Sequence, residues 1–250
     1  MKVYAIADLH LAVSVPDKDM AVFGPPWDGY LEKIESGWRE VVSDEDLVLI
    51  AGDITWAMRP DQAKQDLEWI ARLPGRKVIS KGNHDYWWPS NTRLKELLPE
   101  GIEFVNGTAL EIDGYSICGT RLWDVPGCDF SDIIDFKDNP VVSKTPVLLT
   151  EEDRKQNEKI YKRELNRLRM GLDELRDGTR IAMVHYPPTT PALNETAVTN
   201  LLEQYRVTHC IFGHLHNVIG KPDMYGAKKG VKYHLTSADY LQFVPKLIAS

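Results

Sequence analysis

Five short runs of this chain end in side chains that could hold a metal. "ADLH" ends in Asp8 and His10, and "AGD" ends in Asp53. "KGNHD" presents Asn83, His84 and Asp85, "VHYPP" presents His185, and "HCIFGHLHN" presents His214 and His216. Imidazole nitrogens mixed with carboxylate oxygens suit Mn, Fe, Zn, Ni or Co better than Mg alone. Two such ions about 3.5–4 Å apart activate water and hold phosphoryl oxygens, and a carboxylate can bridge them. Alternate side chains of an extended segment point the same way, so Asp8-x-His10 and His214-x-His216 can each converge on one ion. A D-x-H or G-D alone is an ordinary polar turn. Five such elements, each just past an apolar run, point to one site.

The elements that must position them are legible from the apolar patterning. Residues 2–8, 46–53, 77–83, 180–185 and 208–214 read as buried strands. Leu31, Ile34, Trp38 and Val41 fall at helical spacing, as do Ala63, Leu67 and Ile70 in a segment that opens at Pro60. A third helix is predicted through Val198, Leu202 and Tyr205, and a long charged one over about 151–176, with Thr150 and Asp153 as its capping box. Its apolar stripe is Tyr161, Leu165, Leu168, Leu172 and Leu175. Asn106-Gly107 and Asp113-Gly114 predict hairpins within 101–120. Strands alternating with helices predict an α/β fold, and the hairpins favour a mixed sheet or two packed sheets. Every candidate ligand follows a strand, the edge where open α/β sheets bind ligands.

At 250 residues the chain can bury a large core, and we expect one domain over 1–250, with 121–176 as a lid insertion. The formal charge of −7 and the absence of a Lys/Arg-rich run exclude a broad nucleic-acid surface. Three cysteines with no CxxC pair predict reduced thiols in a cytoplasmic protein. No signal peptide and no membrane span are expected.

The ordered set D-x-H, G-D, G-N-H-D, H and G-H-x-H resembles the calcineurin-like metallophosphoesterase superfamily over residues 8–216. The resemblance implies a four-layer fold, a two-sheet mixed β-sandwich flanked by helices, with a dinuclear metal site at one edge. It implies that Asp8, His10 and His216 bind one ion and Asn83, His185 and His214 the other, with Asp53 bridging. His84 would face substrate and protonate or hydrogen-bond it. The implied reaction is hydrolysis of a small phosphate ester, such as a nucleotide-like one, by hydroxide bridging the two ions. Diester and monoester substrates are both open, with the diester favoured, and a scaffold without catalysis is a third reading. Gly213 would let the backbone turn tightly at the metals. One departure stands out: "GDITWAM" has Trp56 where some branches carry a second aspartate that orients the histidine. Asp85 adjoins His84 and could support it. Trp56, Trp87, Trp88 and Trp123 could line a cleft for a base or aryl group, or pack the sheet edges. Arg121 could contact phosphate or pair with a nearby loop aspartate.

Overall fold

The computed structural model describes residues 1–135, 150–220 and 223–250. Its chain order is β1 (Val3–Ile6), α1 (Tyr30–Val41), β2 (Leu47–Ala51), α2 (Pro60–Ala71), β3 (Arg76–Ser80), α3 (Asn91–Leu97) and β4 (Ile102–Phe104). There follow β5 (Thr108–Ile112), β6 (Tyr115–Thr120), α4 (Glu151–Asp173), β7 (Thr179–Val184), α5 (Ala197–Gln204) and β8 (His209–Phe212). The last strands are β9 (Ala227–Lys228), β10 (Val231–Leu235) and β11 (Lys246–Ala249).

Two mixed sheets result. One has the order β11-β1-β2-β3-β4, the other β5-β6-β7-β8-β10-β9. In the first, β1 to β4 run parallel and only β11 is antiparallel. In the second, β6, β7, β8 and β10 run parallel between two antiparallel edges.

Side-chain alternation explains the stacking. Val3 and Ala5 of β1, Leu47, Leu49 and Ala51 of β2, and Val78 of β3 face the second sheet. There they meet Ile117, Ile181, Met183 and Ile211. Their neighbours Tyr4, Ile6, Val48, Ile50 and Ile79 face outward, under Ile34 and Trp38 of α1 and Leu67 and Ile70 of α2. On the opposite outer face Tyr161, Leu168 and Leu172 of α4 and Val198 and Leu202 of α5 cover the second sheet. The architecture is therefore α/β/β/α.

Thr150 caps α4 as expected: its hydroxyl accepts from the Asp153 backbone N–H, while the Asp153 carboxylate accepts from the Thr150 N–H. One expectation is corrected. Asp113-Gly114 does join a hairpin, β5 to β6. Asn106-Gly107 does not: β4 lies parallel to β3 in the other sheet, and the chain crosses between sheets at that turn. Both turns end in a glycine at positive φ, and the pairing of β4 distinguishes them. Of the stretch expected to form a lid, α4 packs on the second sheet and residues 136–149 lie outside the described residues. Among the described residues no helix is long and apolar enough to cross a membrane.

Candidate metal centre

Parallel strands from both sheets end at one edge, and their next residues meet there. The ends are laced by backbone bonds: Asp8 N–H donates to Gly52, His10 N–H to Asp53 and Gly213 N–H to His185. Ala7 N–H donates to Thr236 across the two sheets. Asp8, His10, Asp53 and His214 all adopt positive φ, between 46° and 73°. Side chains other than glycine rarely enter this left-handed region, and such strain clusters at functional sites. Here it turns each side chain inward off its strand.

Two glycines provide room rather than flexibility. Gly213 keeps an ordinary φ, contrary to the tight-turn expectation. A Cβ there would lie 2.6 Å from Ala7 Cβ and overlap the Asp8 carboxylate. A Cβ on Gly82 would overlap the Asp53 carboxylate.

The seven expected ligands converge. His185 Nδ1 donates to the Ala51 carbonyl at 2.9 Å. Its Nε2 therefore faces Asn83 Oδ1 at 2.7 Å and Asp53 Oδ2 at 3.3 Å. His214 Nδ1 lies 3.0 Å from the same Asn83 oxygen. On the other side, His10 Nε2 and His216 Nε2 are 3.2 Å apart, with Asp53 Oδ2 3.8 Å from His10 and Asp8 Oδ1 3.9 Å from His216. Ligand atoms of Asp8, His10 and His216 lie within 4.8 Å of one another, as do those of Asp8, Asp53 and His185. Asp8 belongs to both groups.

This donor set fits cations. Lone pairs of imidazole and oxygen face each other in a buried space, which is stable only with a positive centre between them. Protons show the same demand. Burial lifts Asp8 to about 6, against the pull of His216 and His185. Burial pushes His10 and His214 down to about 3. Burial also opposes the charged form of Asp53, yet the charge and hydrogen bond of His185 carry its carboxyl well below the usual range. Desolvation acts likewise on His185 and His216, but Asp53 raises the first to about 9 and Asp239 raises the second to about 9.

His84 stands off the two groups. Its backbone N–H donates to Asp53 Oδ1 at 2.8 Å, leaving Oδ2 for the centre. Its ring lies 4.7 Å from the Trp56 ring, centroid to centroid, and Trp56 also stacks on His10 at 4.8 Å. A half-buried indole thus occupies the place of the second aspartate.

Asp85 does not touch the His84 ring. It is fully buried and accepts from the backbone N–H groups of Gly82, Asp53 and Ile54 and from Trp87 Nε1, at 2.7 to 3.0 Å. One carboxylate thereby clamps the loops after β2 and β3. Asp66 of α2 does the same for the loops after β1 and β2, accepting from Val13 N–H, Ser14 Oγ and Thr55 Oγ1. Trp87 and Trp88 are buried, so they pack the edge rather than line an open face. Trp123 packs at a tilt against Tyr186, whose ring lies 4.1 Å from the His214 ring. Arg121 sits over Trp123 and pairs with Glu164 at 3.8 Å.

Asp239 was not among the expected residues. Its Oδ1 accepts from His216 Nδ1 at 3.0 Å and its Oδ2 from Asn217 N–H at 2.9 Å. The available signal was "YHLTSAD", another apolar run ending in an acid.

With this geometry in view, the class is a metal-dependent hydrolase of phosphoester bonds. The family model for calcineurin-like phosphoesterases matches residues 1–218, and the chain belongs to that family. Such enzymes imply bound metal ions and a phosphate-ester substrate. The fold is shared with a phosphopantetheinyl hydrolase from Mycobacterium tuberculosis, at 16% identity and TM-score 0.53, over 99% of this chain and 95% of that one. A protein of unknown function from Aquifex aeolicus aligns at 17% identity and TM-score 0.46, over 98% and 95% of the two chains. No curated protein matches the sequence.

Proposed function

We propose that the chain, as one domain over 1–250, hydrolyses a phosphodiester with two metal ions. Asp8, His10 and His216 hold one ion, Asn83, His185 and His214 the other, and Asp53 bridges. The observation that carries this reading is the position of Asp53 Oδ2, 3.8 Å from His10 Nε2 and 3.3 Å from His185 Nε2, between the two ligand sets. Bound there, manganese, iron, zinc, nickel or cobalt would supply acidified water and positive charge for the phosphoryl oxygens.

The protein's own groups do the rest. Water oxygen bonds to phosphorus as the P–O bond to the leaving group breaks. His84 faces that oxygen and donates a proton or hydrogen bond to it. Trp56, half-exposed beside His84, offers a flat face to the second esterifying group of a diester. Trp123, under Arg121, stands by Tyr186 on the His214 side of the centre.

The test compares a nitrophenyl diester with a nitrophenyl monoester, using manganese-loaded protein and Asp53→Asn as control. Diester cleavage that the control loses is expected. Cleavage of the monoester alone overturns the diester preference, and an active control overturns the bridging role.

A further inference from the structure

Lys81 precedes Asn83 by two residues, so their Cα atoms are at most about 7 Å apart. Its side chain lines a cleft of about 390 Å³, together with Trp88, Ser90, Asn91 and Arg167. The cleft and the metal centre thus share one loop. Lys81 starts it, Asn83 and His84 stand in the middle, and Trp88 and Ser90 end it.

The lining is rich in donors. Ser90, Asn91 and Asn106 bring neutral polar groups to it, and Trp88, 7% exposed, forms part of its wall. Lys81 has no ion pair among the described residues. Arg167 does, but it shares the single buried carboxylate of Glu164 with Arg163 and Arg121. A second Glu164 oxygen is taken by Thr120. Three guanidinium groups therefore share one carboxylate, and Lys81 adds an ammonium with no ion pair among the described residues, in a chain whose formal charge is −7. Such a local surplus beside a phosphoester site attracts anions.

We propose that this cleft is an anion subsite. It holds a second phosphate or carboxylate that the ester substrate carries away from its reacting phosphorus. Arg167 and Lys81 supply the charge, and Trp88 walls the cleft. The subsite rests on the proposed function above, because it is defined by an ester cut at the neighbouring centre.

Two readouts separate the claims. The first is calorimetric titration of chelator-treated protein with inorganic phosphate, which needs no turnover. Binding should weaken about tenfold in Lys81→Met and Arg167→Met, the loss expected for one charged hydrogen bond, and recover in Lys81→Arg. The second is kcat/KM for thymidine 5′-(4-nitrophenyl phosphate), with and without a 3′-phosphate. The extra phosphate should raise kcat/KM about tenfold in the wild type, and Lys81→Met should bring the ratio toward one. A wild-type ratio near one, or a ratio that Lys81→Met leaves unchanged, overturns the subsite. If neither nucleotide is cleaved while the nitrophenyl diester of the first test also stays intact, the proposed function fails. Phosphate binding lost in Lys81→Met then still supports the anion site, and binding that is absent or unaltered overturns it.

Discussion

His216 Nδ1 donates to Asp239 Oδ1 at 3.0 Å, which leaves Nε2 bare toward Asp8. The carboxylate selects the tautomer of an imidazole on a different strand end. It also fixes the ring's direction through its second oxygen on Asn217 N–H. Asp239→Asn should weaken metal affinity by about 10- to 100-fold, the range for lost partners of metal-bound histidine. Metal titration and thermal melting of the metal-free protein check this. Affinity should fall more than melting temperature does.

Asp85 serves architecture in the same direct sense. Replacing it with alanine orphans four buried backbone donors and the Trp87 indole. Hydrogen bonds to a charged group contribute about 1.5–3 kcal/mol each, so the loss should be at least about 3 kcal/mol. Urea denaturation midpoints of metal-free Asp85→Ala and wild type test it. A midpoint shift worth under 1 kcal/mol would show that the loops hold without the clamp.

Trp56 should position His84 through ring contact. Aromatic pairs are worth about 0.5–1.5 kcal/mol beyond burial, or up to roughly tenfold in rate. Trp56→Ala should lower kcat/KM by about that factor and Trp56→Phe should restore most of it. Equal loss in both variants would point to the indole N–H, which contacts Met20 Sδ at 3.1 Å.

Metal removal should destabilise the fold. An ion bound only to the native state adds about 2.7 kcal/mol at a hundredfold excess over Kd. Thermal melts with and without manganese should therefore differ by several degrees, and Asp53→Asn should shrink the difference.

The remaining prediction concerns pH, at a pair far from the metal centre. His209 of β8 and His234 of β10 stack with Nδ1 and Nε2 3.1 Å apart. Burial lowers both, His234 to about 3 with Lys246 adding to the effect. The unfolded chain then binds protons that the native state refuses. Their contribution is complete above about 6.5 and is lost as pH falls toward 3. His234→Gln should flatten the urea midpoint over that window.

Much of this molecule was legible locally. Val3, Ala5, Leu47, Leu49 and Val78 alternate as buried strands because the apolar period is set by the pleat itself. Asp8, Asp53, Asn83, His185 and His214 stand past strand ends in the chain, so their clustering needed only parallel strands with a common edge. Thr150 and Asp153 mark the start of α4 within one turn.

What the chain order does not carry is pairing between distant segments. The partnership of Asp239 with His216 exists because β10 lies parallel beside β8, a register absent from either segment's own pattern. The sharing of Glu164 among Arg121, Arg163 and Arg167 requires α4 to lie on β5 and β6. The role of Gly213 followed the same rule. Its neighbour in space is Asp8, more than two hundred residues earlier, and only close packing of the two sheets makes a side chain there impossible.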